Sequence, residues 1–484
     1  MSQYPEKNAY AGKRVFLVGI KGTGMAALAE LLSDRGAYVT GSDTGEKFYT
    51  DEILDRLGIS YLEEFSASHI DESIDLVVHS AAYSRDSSPE LGRAALLRIP
   101  IYSYPEMLGM LSLRCDSTGI AGVHGKSTTT ALAGAIIRKL NLPASVIAGT
   151  AVPDFDDRST FTNGGEFFVA ETCEYRRHFL KFHPDRIIIT NIELDHTDYF
   201  SGVEDVEDAF LSYGLTLPAD GEIIYCADDP GAERVACRIA SMKPGLSLIP
   251  YGVEASGPFR ISRIQAEGGR TEFSVEGVPV PMEIRIPGVH NVLNATAAIA
   301  LVYSLLQKKS GGVDNSAVDT IRKALSDFSG SRRRSQIVGE RDGILFIDDY
   351  GHHPTAIRKT IAGYRRFYPD RRIVVDFMPH LYSRTKDLFD GFVTAFDEAD
   401  IVVLHGIYSS AREQTGQVTG ADLYREIEKR HRCAYYFEKI IDAEPFCAGL
   451  LTAGDVFITM GAGDNWKLGL AVLKQRDGQA NKGA

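Results

Sequence analysis

Nowhere in its 484 residues does the chain hold an unbroken apolar run near the roughly 18 that a membrane-crossing helix needs. The opening stretch, Met1 to Gly12, is polar and lacks the apolar centre of a secretion signal, so a cytoplasmic protein is expected. Cations are the scarcer charge: 52 Lys and Arg face 65 Asp and Glu, a formal charge of −13. That balance argues against a protein that coats nucleic acid or an anionic membrane. An anionic ligand would have to be caught by local cations and helix N-termini against the field of the whole molecule. The six cysteines, Cys115, Cys173, Cys226, Cys237, Cys433 and Cys447, show neither Cys-x-x-Cys pairing nor zinc spacing, so buried, reduced thiols are expected. No repeat and no low-complexity tract is present.

What is there is an ordinary globular composition, 44% hydrophobic and 24% charged, in a chain long enough for about three domains. The pattern divides accordingly. Residues 1–112 open with an apolar strand at Arg14 to Val18, a glycine turn from Gly19 to Gly24, and helical spacing from Met25 to Ser33. Short strands at Ala37 to Thr40 and Ile74 to His79 each end in small polar residues, which suits a parallel sheet with ligand loops at one edge. Residues 113–329 carry a strand at Ser117 to Ala121, a glycine loop and a helix over Lys126 to Leu140. Strands at Phe167 to Ala170 and Arg186 to Thr190 follow. Antiparallel hairpins are expected over Phe259 to Ile286, with Gly268 and Gly269 at a turn, and helices over Asn291 to Lys308 and Asn315 to Asp327. Residues 330–484 alternate again, with strands at Ile344 to Ile347, Arg372 to Val375, Ile401 to Leu404 and Val456 to Thr459. Helices open at Pro354, where a missing N–H is no loss, and run through Phe392. The tail after Gln475 reads as frayed.

The strongest local signal is Gly119-Ile120-Ala121-Gly122-Val123-His124-Gly125-Lys126-Ser127-Thr128. A strand, a glycine loop and a helix make a phosphate cradle: backbone N–H groups face the anion, Lys126 adds charge, and the Ser127 hydroxyl can ligate Mg²⁺. Ile120 departs from the general pattern, which has glycine there. The turn at Gly19, Gly22 and Gly24 has the wrong spacing for a dinucleotide fold, which weakens a dehydrogenase reading. A diphosphate on that helix N-terminus, aided by Lys21, stands beside simple strand–helix packing. Glu171 and Glu174 follow one strand, and Asn191, Glu193, Asp195 and His196 the next. Hard oxygens with one imidazole suit Mg²⁺ or Mn²⁺ beside triphosphate oxygens, although solvated loop acids with His196 capping a helix would look alike.

In order along the chain these motifs resemble the Mur ligases, nearest to the alanine-adding branch. The likeness rests on Gly19 to Met25, Gly122 to Thr128, Ala170 to Glu174, Asn191 to His196 and His290 to Asn294. It continues through Arg332 to Arg334, Asp348 to Pro354, Pro379 to Thr385 and Gly461 to Asp464, and so spans nearly the whole chain. It implies an α/β fold of three domains: Rossmann-like, then P-loop ATPase-like with a mainly parallel sheet, then Rossmann-like again. The first domain would bind a UDP-sugar through Gly22, Thr23, Gly24, Met25, Ser42, Asp43 and Ser80, together with His124 and Glu174 of the central domain. The central domain would hold ATP on Gly122, His124, Gly125, Lys126, Ser127 and Thr128, with magnesium on Ser127, Glu171 and His196. His290, Asn291 and Asn294 would hold adenine; without the family, Asn291 is a helix cap. The third domain would bring Arg333 or Arg334 to phosphate and Asp349 to ribose, with His380 and Arg384 facing substrate carboxylates. Apart from the family, Arg332 to Arg334 is a solvated hinge turn, and His352 and His353 cap the next helix.

The reaction so implied is amide formation between L-alanine and the lactyl carboxylate of UDP-N-acetylmuramate through an acyl phosphate, with ATP as phosphoryl donor. Lys126, Glu171, His196, Arg334, His380 and Arg384 are its expected catalytic residues. Partners would be small molecules, with neither nucleic acid nor membrane, in a monomer or homodimer. Val123, Ser335, Met378 and Leu381 depart from the family pattern and put the choice of amino acid in question. No lysine stands between His196 and Lys243, where later-acting relatives carry a carbamylated one. That favours the alanine-adding branch or a tripeptide-recycling ligase of the same family; the third reading, a non-catalytic nucleotide-binding relative, has Lys126, Glu171 and His196 against it.

Overall fold

The computed structural model describes residues 9–86, 88–267, 269–409 and 415–480. Gly268, one of the expected turn glycines, lies outside them. The first sheet holds β1 (Arg14–Val18), β2 (Tyr38–Ser42), β3 (Tyr61–Leu62), β4 (Leu76–His79) and β5 (Ile101–Ser103), all parallel, in the order β3-β2-β1-β4-β5. Val15 to Val18 are all buried because helices cover both faces, the environment in which a parallel strand becomes a continuous apolar run. β1 lies between β2 and β4, and the glycine turn leaves its C-terminal end at that switch point.

The central sheet is built the same way from β6 (Asp116–Ala121), β7 (Ala144–Val152), β8 (Arg158–Thr162), β9 (Phe167–Glu171), β10 (Arg186–Ile189), β11 (Glu222–Cys226) and β12 (Ser247–Tyr251). Its order is β12-β11-β10-β6-β9-β7-β8, parallel except for β8 on the edge. β6 sits between β10 and β9, so the loops after all three strands meet at one edge. Three antiparallel strands, β13 (Ile261–Glu267), β14 (Arg270–Val275) and β15 (Met282–Ile284), form the expected hairpins.

The third sheet comprises β16 (Gln336–Arg341), β17 (Ile344–Asp349), β18 (Arg372–Phe377), β19 (Ile401–His405), β20 (Ala434–Phe437) and β21 (Asp455–Met460). Here β21 lies between β17 and β18, which brings together the loops that begin at Tyr350, Met378 and Gly461.

The first and central sheets share one apolar core, and the helix Thr23–Asp34 lies against β7 and β8. Fully buried Glu30 of that helix accepts from Arg158 Nε (3.2 Å), Thr160 Oγ1 (2.9 Å) and the Ser159 N–H (3.3 Å), so the junction is polar at one point and satisfied there.

Four local expectations change. The helix Val289–Ser310 is, by length and composition, apolar enough to cross a membrane, but it is mostly buried in the central core beside Lys126–Lys139. Its polar residues, Asn291, Asn294 and Thr296, break the run that the sequence would need. Its cap is Gly288, not Asn291, which lies inside the first turn and donates to the Pro287 carbonyl at 2.7 Å. The helix expected through Phe392 breaks at Leu388 into Tyr382–Asp387 and Phe389–Val393. The tail is helical, Trp466–Ala480, rather than frayed from Gln475.

Candidate active site

The loop after β6 begins at Gly122. Its φ of +140° suits glycine, and a Cβ there would overlap the Thr190 hydroxyl. Gly125, at φ +82°, caps the helix Lys126–Lys139, and a Cβ there would come within 2.5 Å of Asn294 Oδ1. Ile120, fully buried, is still inside β6, so the loop has no need of glycine at that point. The His124 peptide is clamped from the neighbouring strand end: its N–H donates to Asn191 Oδ1 (2.8 Å), and its carbonyl accepts from Asn191 Nδ2 (2.9 Å) and Thr190 Oγ1 (2.6 Å). This rigid loop leaves the helix N-terminus facing a cavity.

Lys126 Nζ meets Glu174 at 3.0 and 3.3 Å and also donates to the Gly122 carbonyl. Burial alone would lower the lysine, but the Glu174 charge outweighs it and raises its pKa. Burial likewise pushes Glu174 up, and Lys126 pulls it below the ordinary carboxylate range. Ser127 Oγ donates to Glu171 Oε2 at 2.8 Å, so two hard oxygens stand together at the helix start. His196, in a left-handed turn at φ +52°, points Nε2 at Glu174 Oε1 (3.5 Å) and packs on Tyr175. It caps no helix: the next begins at Val203, behind Gly202.

The loops of the third sheet close over this surface. Arg384 donates to Asp195 from Nε at 2.9 Å and from Nη2 at 3.3 Å, and from Nη1 to His380 Nδ1 at 3.3 Å. Burial pushes Asp195 up, but the Arg384 guanidinium holds it well below its ordinary value. The His352 imidazole is held well below its ordinary pKa by burial and by Arg384. Arg334 stacks on Tyr350, 4.9 Å from the ring centre. Together these side chains and the phosphate loop line a cavity of about 420 Å³ that Leu381, at φ +69°, also enters.

A second cavity, about 340 Å³, continues from Gly125 and Thr128 past His290, Asn291 and Asn294 to Asp349 and Lys359. Burial, with Lys359 beside it, lowers His290 to about 4. Asn294 Nδ2 donates to Asn291 Oδ1 (3.1 Å), and Thr129 Oγ1 donates to Asn294 Oδ1 (3.3 Å). A third cavity, about 620 Å³, runs from Thr23 and Tyr49 of the first domain to Arg332 and Arg333 of the third. Tyr350 and Ala462 line both it and the 420 Å³ cavity.

Family models match almost end to end: "Mur ligase family, catalytic domain" over residues 14–114, "Mur ligase middle domain" over 120–302, and "Mur ligase, glutamate ligase domain" over 333–463. The chain belongs to the Mur ligase family. It is 48% identical over 460 residues to the UDP-N-acetylmuramate–L-alanine ligase of Treponema pallidum, covering 95% of this chain and 96% of that one. The enzyme of the same name from Borreliella burgdorferi is 41% identical, over 94% and 97% of the two chains. Among solved structures, the UDP-N-acetylmuramate-alanine ligase of Thermotoga maritima aligns with a TM-score of 0.77 and 25% identity, over 96% of this chain and 99% of that one.

Of the residues singled out from this Mur ligase sequence, Lys126, Ser127, Glu171, Glu174, His196, Arg334, His380 and Arg384 line one cavity, with His124 and Gly125. Thr128, His290, Asn291, Asn294 and Asp349 line the next. Arg333 lies apart from both. It donates to Asp348 Oδ2 (3.0 Å) and to the carbonyls of Gly461 (2.9 Å) and Gly463 (3.0 Å), and so braces the third domain's own loops. Asp349 turns its carboxylate on the Ser335 and Gly351 N–H groups at 2.8 Å each.

In the first domain Thr23 reaches the large cavity, whereas Met25 is buried in the core. Gly22 ends the turn before the helix, and Gly24 packs under the ring of Tyr104. Asp43 accepts the N–H groups of Lys21 (2.7 Å) and Thr44 (2.8 Å), while Ser42 is fully buried and Ser80 donates its N–H to the Val18 carbonyl at 3.0 Å. Lys21 offers no charge to a ligand: it is fully buried against Glu63 (2.9 Å) and the carbonyls of Thr44 and Glu46. Asp195, noted from sequence only as a metal-ligand candidate, and Tyr350, inside the Asp348 to Pro354 motif but given no role, line the first cavity. Lys359, which carried no sequence signal, lines the second.

Proposed function

We propose that this Mur ligase joins L-alanine to the lactyl carboxylate of UDP-N-acetylmuramate, with ATP cleaved to ADP and phosphate. The observation that carries the reading is the 48% identity, over nearly the full length of both chains, to an enzyme named for that reaction. A carboxylate is a poor acyl donor because it would have to expel oxide; converted to an acyl phosphate, it expels phosphate instead. The amine of alanine then attacks the carbonyl carbon, and the tetrahedral intermediate collapses with loss of phosphate.

The chain's own residues supply position and charge. Lys126 and the N–H groups from Gly125 to Thr128 at the helix start would hold the phosphates, and Arg334 would face them from the third domain. His290, Asn291 and Asn294 would take the base. His380 and Arg384 would bind a substrate carboxylate, Arg384 exchanging Asp195 for it. The sugar nucleotide would run from the glycine turn through the large cavity toward Tyr350. The paired oxygens of Ser127 and Glu171 fit magnesium, with His196 nearby, and these three would hold it; when bound, the ion offsets charge on the transferred phosphoryl group. Substrates of this kind are made and used in the cytoplasm, and no macromolecular partner is called for.

The test is phosphate release from Mg-ATP by purified protein with UDP-N-acetylmuramate and L-alanine, glycine, L-serine or free tripeptide in turn. Release that needs both the sugar nucleotide and L-alanine is expected. Release with the tripeptide alone would move the chain to the recycling branch, and none with any acceptor would overturn the ligase reading.

A further inference from the structure

The phosphate-loop histidine, His124, has its peptide clamped by Asn191, but its imidazole takes no part in that clamp. Its Nε2 is buried and has no hydrogen-bond partner among the described residues. It faces Glu193 Oε2 at 4.0 Å, and the same carboxylate oxygen lies 4.0 Å from His353 Nδ1. The two imidazole centroids are 4.7 Å apart, and the three donor atoms lie within 4.8 Å of one another. His124 and Glu193 belong to the central domain, whereas His353 caps the helix Pro354–Phe367 of the third.

Supporting contacts orient this cluster as they orient metal ligands. His353 Nε2 donates to the Leu194 carbonyl at 3.3 Å, which fixes the tautomer and leaves the lone pair on Nδ1, the atom that faces Glu193. That lone pair is held only by a long contact from the Thr355 N–H, also 3.3 Å. The Thr355 hydroxyl donates to Glu193 Oε2 at 2.8 Å, as a hydrogen bond to a ligating carboxylate would.

We propose that His124, Glu193 and His353 bind a transition-metal ion of the zinc class, and that the ion pins the third domain to the central one. Two imidazoles and a carboxylate suit Zn²⁺, Co²⁺ or Ni²⁺ and are too nitrogen-rich for Mg²⁺. Bond lengths of about 2.0–2.2 Å require the three side chains to draw in by roughly half an ångström each, within reach of rotamer adjustment. Its ligand atoms are distinct from those of Ser127 and Glu171, which line the same cavity but offer only hard oxygens. The consequence is a ligase whose opening, and with it product release, slows when such an ion is present.

The test titrates the chelator-stripped full-length protein with Co²⁺ in excess Mg²⁺, with no nucleotide or sugar present. Its outcome is therefore independent of the ligase reading. One equivalent should give the visible absorption of a four- or five-coordinate nitrogen-containing site, and Zn²⁺ should displace it. Glu193→Gln should weaken binding at least tenfold, as should His353→Asn, which keeps a helix cap while removing the imidazole; Glu171→Gln should leave it unchanged. Zn²⁺ should reduce the radius of gyration in solution of the parent chain but not of His353→Asn. Absorption that survives both Glu193→Gln and His353→Asn, or that is lost in Glu171→Gln, would overturn the proposal.

Discussion

Arg384 and Asp195, 189 positions apart, form a buried ion pair between the third domain and the central one, with both side chains 5% exposed. Neither charge could stay there alone, because an unpaired ion in that setting costs several kcal/mol. The pair therefore ties the two domains in this arrangement, and it places the cation beside His380 in the lining of the 420 Å³ cavity.

Asp195→Asn should loosen that closure. We expect about 3 kcal/mol of lost stability, from leaving Arg384 buried without its partner, together with a larger radius of gyration in solution scattering and slower turnover. An unchanged scattering curve would show that the pair does not hold the domains.

Lys126→Ala should cut phosphate release by roughly 10³-fold. It also strands Glu174, which is 2% exposed, so the melting temperature should fall. The double variant Lys126→Ala, Glu174→Gln separates the two effects: it should recover the melting temperature and none of the turnover. Recovery of turnover would refute a phosphate role for the lysine.

Asn294→Ala removes the side chain that abuts Gly125 and pairs with Asn291 and Thr129. The KM for ATP should rise roughly tenfold, the worth of one hydrogen bond. The KM for alanine should stay where it was, and a rise confined to alanine would remove the base-binding assignment.

His290, lowered to about 4 by burial, links stability to pH. Between about pH 6.5 and 4 the unfolded chain takes up a proton there and the folded chain does not. Its contribution is therefore complete above pH 6.5 and lost as the solution is acidified. From pH 7 to 5 this one group should cost about 2 kcal/mol, and His124, His352 and His353, also lowered, act in the same direction. His290→Gln should flatten the dependence of the denaturation midpoint on pH; an equal slope in both proteins would assign the effect elsewhere.

Much of the fold could be read along the chain, because parallel strands buried on both faces become short apolar runs and the loops after them collect glycine and small polar residues. The phosphate loop was legible for the same reason: Gly122, Gly125, Lys126 and Ser127 answer to local backbone geometry. The third domain's contribution was legible only as a family likeness. Nothing in the run Arg332-Arg333-Arg334 tells which guanidinium enters the 420 Å³ cavity; both Arg333 and Arg334 lie over Tyr350, but the turn sends Arg333 to Asp348 and Arg334 into that cavity. Lys21 looked like a free cation beside a glycine turn until its burial against Glu63 was seen.

Sequence alone determined most of the strand–loop–helix units and the family, which depend on neighbours in the chain and on the order of the motifs. Tertiary structure decided the pairings: Arg384 with Asp195, Lys126 with Glu174, and His353 beside His124 and Glu193. Those contacts cross between strands and domains, so their energies depend on burial and on charges brought close from far along the chain, which no local pattern records.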